Sequence, residues 1–68
     1  MTMHSILSTM KRSEILDLID ELNLNEEETQ IVWMLSRNSS IEQIARRLHC
    51  SSRTIDRRIY GIKRKMNE

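Results

Sequence analysis

The sequence predicts an all-α fold, and three observations lead to that class. The 68-residue chain has no proline, no phenylalanine and a single glycine, whereas an all-β domain needs several tight turns and strands rich in aromatic or β-branched residues. Apolar residues make up 38% and charged residues 31% of the chain, which is typical of a small globular domain. Apolar residues also recur at helical spacing along most of the chain. A chain of this length forms one domain at most, which excludes a two-domain enzyme.

Four helices are predicted from this periodicity. Their expected ranges are residues 13–23, 26–37, 41–48 and 52–66. Local capping signals support the starts of the last three helices. Asn25 with Glu28 three residues later, and Ser40 with Gln43, both have the pattern of a capping box. Ser51 is the expected N-cap of the last helix.

Residues 1–12 are predicted to be an N-terminal segment that is either flexible or forms an interface. Their apolar residues lack clear helical periodicity, so fraying, an extension of the first helix and packing on a partner chain all remain open. Five apolar side chains are candidates for a protein interface: Ile6, Leu7, Met10, Leu16 and Trp33. On the helical wheel Trp33 lies opposite the apolar stripe of the second helix. Either the N-terminal part of the chain covers it, or it anchors a partner.

The net charge of +1 hides a strong division along the chain. Residues 1–35 carry two basic and seven acidic side chains, whereas residues 36–68 carry nine basic and three acidic ones. A basic half of this kind indicates a polyanionic partner. The alternative is a solvated surface with internal attraction between the two halves. The acidic residues of the first two helices are expected to form a solvated face.

The last two helices have the spacing of a helix-turn-helix unit, a short helix followed by a three-residue turn and a longer helix. At about 100° per residue, Arg53, Arg57, Tyr60 and Arg64 project from the last helix opposite its apolar seam. An α-helix fits the major groove of DNA, where arginine binds guanine edges or phosphate. The alternative is a basic helix that is only solvated. Gly61 either lets a backbone approach closely or is a tolerated defect.

Residues 24–66 resemble the helix-turn-helix of sigma factor region 4 and of LuxR/GerE response regulators. The resemblance lies in the segments EEETQIVWML, IEQIARRL and SSRTIDRRI with KRKM. The preceding ILDLIDELN is similar to the helix that opens region 4 in extracytoplasmic-function sigma factors. The resemblance implies a DNA-binding role in transcription. Because the chain has no match to sigma region 2, we do not expect a complete sigma factor. It also has no match to the dimerising helix that is usual in LuxR-type domains.

The resemblance and the wheel together assign roles to the residues of the last helix. The family's Thr-Val-Lys stretch falls on Thr54, Ile55 and Asp56, which implies phosphate contact, core packing and base reading in that order. Asp56 replaces a common lysine of the family, so the target sequence must differ. His49 replaces the glycine that is often found in the turn of sigma-type domains. The expected base-contacting residues are Arg53, Asp56, Arg57 and Tyr60. The expected phosphate-contacting residues are Ser52, Thr54, Arg58, Lys63, Arg64 and Lys65.

No pattern in the sequence indicates catalysis or a metal. A structural zinc site needs four ligands in spaced pairs, which His49 and Cys50 do not provide. Ser51 and Ser52 lack a histidine–carboxylate arrangement, and no glycine-rich phosphate loop is present. We therefore expect no enzyme activity, no cofactor, no metal and no small-molecule substrate. The chain also lacks a signal peptide, a membrane span and a second cysteine, which predicts a cytoplasmic, nucleoid-associated protein.

Three functions follow from these expectations. The leading one is a sequence-specific regulator that binds double-stranded DNA in bacterial, phage or mobile-element transcription, by occupying its operator or by touching RNA polymerase. We expect a homodimer held through the N-terminal segment and the first helix. The second is a protein-interaction module of region-4-like shape that binds RNA polymerase or another regulator. The third is a DNA-binding adaptor in replication, recombination or packaging.

Overall fold

The computed structural model describes the backbone of residues 3–67 and the side chains of residues 6–66, and residues 1, 2 and 68 lie outside that part. The described residues form five helices: α1 Met3–Thr9, α2 Arg12–Leu22, α3 Glu26–Ser36, α4 Ile41–Leu48 and α5 Ser52–Asn67. The all-α prediction is confirmed. The four predicted helices correspond to α2–α5, and each end lies within one residue of its expected position.

The predicted caps are present at the starts of α3, α4 and α5. Glu28 donates its backbone N–H to Asn25 Oδ1 at 2.8 Å, and Glu28 Oε1 accepts the N–H of Asn25 at 3.1 Å. Ser40 and Gln43 form the same pair of hydrogen bonds, at 3.1 and 2.9 Å. Ser51 Oγ accepts the N–H of the third residue of α5 at 3.2 Å. These side chains satisfy backbone donors that have no partner inside the helix.

The chain enters the left-handed region just after each of α2, α3 and α4. The residues in this region are Asn23, Asn38 and His49, with φ of 52°, 61° and 58°. In each case the next N–H returns to the carbonyl five residues earlier, from Leu24 to Ile19 at 3.2 Å, Ser39 to Met34 at 3.0 Å and Cys50 to Ala45 at 2.9 Å. This is the Schellman type of ending, in which glycine is the usual left-handed residue. The chain thus makes three sharp helix ends without using its one glycine.

Helix α3 occupies the centre of the fold and packs against each of the other four helices. It contributes Ile31, Val32 and Leu35, all fully buried, to the core. The other buried apolar side chains come from the four surrounding helices: Leu7, Ile15, Ile44, Ala45, Ile55 and Ile62. Burial of such apolar surface is the main favourable term in folding. The fold therefore depends on α3 joining the N-terminal helices to the α4–α5 pair.

Residues 3–9 form a helix of their own rather than an extension of the next one. Helix α1 ends at Thr9, and α2 begins at Arg12 after a break at residues 10 and 11. Helix α1 packs along α3, and Leu7 is completely buried. The N-terminal segment thus completes the core on the side of α3.

Candidate nucleic-acid interface

Helices α4 and α5 pack against each other across the turn formed by residues 49–51. Ile44 and Ile55 are fully buried where the two helices join the core, and Ala45 is nearly so. The left-handed conformation of His49 reverses the chain after α4, and Ser51 caps the start of α5. The turn is therefore fixed by backbone and cap hydrogen bonds. It holds α5 at the surface with one side in the core and the other in solvent.

The solvent side of α5 carries the residues that the sequence analysis predicts to read bases. Arg53, Asp56, Arg57 and Tyr60 are all exposed, and Tyr60 is 65% exposed. Among the described residues the ion pairs join α3 to Arg58 and Lys65 only, so the cations on the outer side have no carboxylate partner there. Arg64, one of the predicted phosphate contacts, lies on the same outer side and is also exposed.

Two of the predicted phosphate-contacting residues are bound to carboxylates at the start of α3. Arg58 Nε donates to Glu27 Oε1 at 2.7 Å. Lys65 Nζ donates to Glu28 Oε1 at 3.0 Å and to Oε2 at 3.2 Å. The Arg58 side chain is still 52% exposed, so a phosphate has access to it. A phosphate contact at either cation has to compete with a carboxylate of the same chain.

Glu28 differs from the solvated carboxylate that the sequence analysis predicts, because its side chain is only 11% exposed. Burial raises the pKa of this carboxyl, but its hydrogen bond from the backbone of Asn25 lowers the pKa, and so do the hydrogen bond from Lys65 and the charges of Lys65 and Arg58. The balance lies below the ordinary value of 4.5. The prediction of a solvated acidic face is therefore wrong for Glu28, which is ionised and part of the α3–α5 contact.

The remaining predicted phosphate contacts lie around the same helix. Ser52 and Lys63 are exposed, and Thr54 is half-buried. The Thr54 hydroxyl lies 3.0 Å from that of Ser51 and so belongs to the cap of α5. Gly61 lies between the outer side of α5 and the side that carries the ion pairs, and a Cβ placed there would meet no atom within 4 Å outside its own helix backbone and chain neighbours. No described segment of the chain itself requires glycine at this position.

The five candidate interface residues differ in accessibility. Leu16, on α2, is 52% exposed, whereas Ile6, Met10 and Trp33 are half-buried. Leu7 lies wholly inside the core and offers no surface to a partner. The N-terminal part of the chain covers one face of Trp33, since the Arg12 guanidinium lies 5.7 Å from the ring centroid, in the range of a cation–π contact.

A groove of about 740 Å³ runs beside Trp33, between the start of α2, the second half of α3 and α4. Its apolar side chains include Met10, Ile15, Trp33 and Met34. Three arginines also line it: Arg12, Arg37 and Arg47. Among the described residues, no carboxylate and no part of α5 lines the groove. The structure thus has a second basic surface that is separate from the outer side of α5.

Glu27 and the three groove arginines were not among the residues that the sequence predicts to be functional. A helical wheel shows which residues share a face of one helix, but it does not show which faces of different helices meet. The concentration of three glutamates in the first turn of α3, in a chain whose last helix is strongly basic, was the available signal for the ion pairs.

Over the part of the chain that is described, no three His, Cys, Asp or Glu side chains are grouped so as to hold a metal ion. Within the same range, none of the helices is long and apolar enough to cross a membrane. Cys50 is half-buried, and its Sγ lies 3.3 Å from the carbonyl oxygen of Leu48. The thiol is a small packing group of the turn.

Comparison with protein families gives one match that covers more than half of the chain. Residues 27–68 match the family described as "HTH domain". The matched region contains almost all of α3 together with α4, the turn and α5. No curated protein and no solved structure matches the chain significantly.

Proposed function

Because this chain belongs to the helix-turn-helix (HTH) domain family, we propose that it is a sequence-specific regulator that binds double-stranded DNA. Helix α5 is the recognition helix and enters the major groove, as in other helix-turn-helix proteins. Within the HTH family, the finer type that we propose is the sigma region 4-like and LuxR-like one. The proposed place of action is bacterial, phage or mobile-element transcription, in the cytoplasm at the nucleoid.

The observation that carries this proposal is the set of unpaired cations on the solvent side of α5. Arg53, Arg57 and Arg64 are exposed beside Tyr60 and form no ion pair with any described residue. The opposite side of the helix is held in the core by Ile55 and the fully buried Ile62. A rigid helix that presents arginine forks to solvent fits guanine edges and phosphates in the major groove.

The proposed contacts divide into two groups. Arg53, Asp56, Arg57 and Tyr60 read base edges, with the arginines on guanine and Asp56 on a cytosine amine. Phosphate contacts set the register without reading sequence, and they come from residues on the flanks and outer side of α5: Ser52, Thr54, Arg58, Lys63, Arg64 and Lys65. The ion pairs of Arg58 and Lys65 make these two the weaker phosphate contacts.

Regulation follows from where the protein sits on DNA. We propose that it acts by occupying an operator or by touching RNA polymerase. One recognition helix reads only a few base pairs, so we also propose that two copies bind as a homodimer, which doubles the site. Two-fold symmetry then makes the operator a palindrome.

The decisive experiment is a selection from random duplexes followed by titration of the selected sequence by fluorescence anisotropy. Arg57→Ala is expected to weaken binding by about 1–3 kcal/mol and to relax the preference at one base pair. Lys11→Ala is the matched control, because it removes one positive charge at the start of α2, outside the α4–α5 pair. Equal affinity and equal preference for Arg57→Ala and the control would overturn the assignment of α5 as recognition helix.

The arginine-lined groove beside Trp33 favours a second function, a protein-interaction module that binds RNA polymerase or another regulator with little affinity for DNA. The two functions differ in their response to salt. DNA binding that neutralises several phosphates weakens steeply as salt rises, because counterions are released. If duplex binding is weak at all salt concentrations while RNA polymerase binds tightly, the interaction module replaces the regulator.

A further inference from the structure

The groove beside Trp33 combines apolar and positively charged side chains. Its volume of about 740 Å³ lies in the range of ligand pockets in general, and six of its ten described lining residues are polar or charged. Trp33 and Met34 supply apolar surface from α3, and Met10 supplies more from the α1–α2 junction. Tryptophan and arginine are the residues that most often dominate binding energy at protein interfaces.

The charge of the groove favours an anionic occupant. Arg12, Arg37 and Arg47 all line it, and none of the other described lining residues is acidic. Both ion pairs between described residues join α3 to α5 and involve none of these arginines. Three positive charges around one groove repel one another, so an occupant that brings carboxylates beside an apolar group relieves that repulsion.

The exposed side of α2 has the complementary composition. Leu16 is one of the two large apolar side chains that are exposed among the described residues, at 52%. Asp17, Asp20 and Glu21 are on the same helix and form no ion pair with any described residue. An exposed apolar side chain on a helix with three unpaired carboxylates thus complements a groove lined by apolar side chains and three arginines.

We infer that the groove of one copy receives the Leu16 side of α2 from a second copy of this chain. Helix α2 also contributes Arg12 and Ile15 to its own groove, so groove and acidic surface are neighbours on one helix. In a dimer with a two-fold axis, the acidic surface of each copy therefore binds the groove of the other copy. Such an interface, in which both copies use the same surfaces, is isologous. This inference rests on the homodimer proposed above and specifies the surfaces that form it.

The arrangement leaves the proposed recognition helix free. None of the described α5 residues lines the groove, and the outer side of α5 faces solvent. Each protomer therefore keeps its basic helix available while α2 of each copy binds the groove of the other. The acidic residues of α2 are thus used in the dimer and the outer cations of α5 on DNA.

The test reverses the charges of the two surfaces in separate variants and measures dimerisation by sedimentation equilibrium. One variant carries Arg37→Glu and Arg47→Glu, and the other carries Asp17→Lys and Asp20→Lys. Arg12 is retained because it stacks on Trp33. The wild-type chain is expected to sediment at twice its mass of 8.1 kDa, and each variant alone at the monomer mass, with dimerisation at least about tenfold weaker, since like charges then face each other across the interface.

An equimolar mixture of the two variants is expected to restore the dimer. In one half of the mixed dimer the introduced glutamates face the introduced lysines, and the other half keeps the original arginine–aspartate pairing. Arg46→Glu and Glu42→Lys serve as matched controls, since both residues are exposed on α4 outside the groove. Circular dichroism checks that each variant is folded. If a double variant is unfolded, the single substitution Leu16→Asp, at an exposed site, takes its place.

Each contrary result has a distinct meaning. If the variants dimerise like the wild type, or if the mixture of monomeric variants stays monomeric, the pairing of α2 with the groove is wrong. Neither result by itself contradicts the homodimer or DNA binding. If the wild-type chain is monomeric at all concentrations, both the pairing and the homodimer are wrong. DNA titration of the same samples tests the regulator itself. Emission of Trp33, the only tryptophan, gives a second readout, since it is expected to change on dilution only if the groove is occupied by the partner copy.

Discussion

His49 holds a left-handed backbone conformation, with φ of 58° and ψ of 42°, at the end of α4. For a residue with a Cβ this region costs roughly 1–2 kcal/mol, whereas glycine enters it without steric cost but loses about 0.5–1 kcal/mol of backbone entropy on folding. We predict that His49→Gly raises the free energy of unfolding by about 0.5–1 kcal/mol. Urea unfolding followed by circular dichroism measures the change.

Asn23 provides the control for this prediction. It adopts nearly the same conformation at the end of α2, with φ of 52° and ψ of 49°, but asparagine tolerates the left-handed region better than histidine does. Asn23→Gly is therefore expected to change stability less than His49→Gly. An equal gain at both positions, or a loss at His49, would mean that the histidine side chain contributes to the fold in another way.

Glu28 makes the stability of the fold depend on pH. The pKa of its carboxyl is held below the ordinary value of 4.5, because the hydrogen bonds from Asn25 and Lys65 and the nearby positive charges outweigh the effect of burial. A carboxylate whose pKa is lower in the folded chain stabilises the fold above its unfolded pKa, and this contribution is lost as the pH falls through the folded value. Glu28 therefore contributes at neutral pH and progressively less in acid.

We predict that Glu28→Gln destabilises the protein by roughly 1–3 kcal/mol at neutral pH, the usual cost of losing hydrogen bonds to a charged group. Glutamine keeps an oxygen for the capping box, so the variant mainly removes the charge. The difference from wild type is expected to shrink as the pH falls below 4.5. Urea unfolding over this range tests it, with Glu26→Gln as control because Glu26 is exposed and forms no ion pair with a described residue. A difference in stability that is independent of pH would mean that the stabilisation does not come from the negative charge of Glu28.

At the scale of helices, the sequence predicts local capping interactions but not contacts between residues that are far apart along the chain. The starts of α3, α4 and α5 were predictable because capping residues such as Asn25 and Ser40 act within three positions of their partners. The ion pairs between α3 and α5 were not, because Glu27 and Arg58 are 31 positions apart, and Glu28 and Lys65 are 37 positions apart. Only the packing angle between the two helices brings these side chains together.

The Glu27–Arg58 pair connects the fold to the proposed DNA contact. Because both side chains are partly exposed, the pair itself adds little to stability, about 0–1 kcal/mol. It does hold the guanidinium away from other anions, and its carboxylate repels phosphate. We predict that Glu27→Gln tightens binding to duplex DNA of any sequence and raises the salt slope by about 1, since one more phosphate is neutralised.

Glu26→Gln is the matched control for this variant. It removes the same charge from the neighbouring position of α3 without breaking an ion pair of the described residues. Anisotropy titrations at several salt concentrations separate the two effects. If both variants tighten binding equally and leave the slope unchanged, the gain comes from net charge alone and Arg58 does not contact phosphate.

For the molecule as a whole, the sequence predicted the fold class and the outward side of α5, but not the position of the N-terminal segment. Periodicity identifies a helix when its apolar residues repeat, and the seven residues of α1 are too few for that. The groove also escaped prediction, because its arginines come from α2, the end of α3 and α4. Such a site exists only once three elements are assembled.

The family match begins at residue 27, yet the core includes Leu7 and Ile15 from the helices before it. Net stability of globular domains is about 0.05–0.15 kcal/mol per residue, so a chain of this size has little reserve. Replacing a fully buried leucine by alanine typically costs about 2–5 kcal/mol. We predict that Leu7→Ala removes most of the stability of the entire protein, including the α4–α5 pair that lies outside α1.

Thermal unfolding followed by far-ultraviolet circular dichroism measures this loss, and DNA titration of the same variant shows whether the recognition helix is lost with it. Thr9→Ala is the control, because Thr9 is exposed on the same helix as Leu7 and a surface substitution is expected to matter by no more than about 0.5 kcal/mol. If Leu7→Ala unfolds at the wild-type temperature, α1 is an accessory to an independent helix-turn-helix unit. If the variant loses helicity and DNA binding in one transition, α3 transmits the loss, since it is the helix that packs against both α1 and α5.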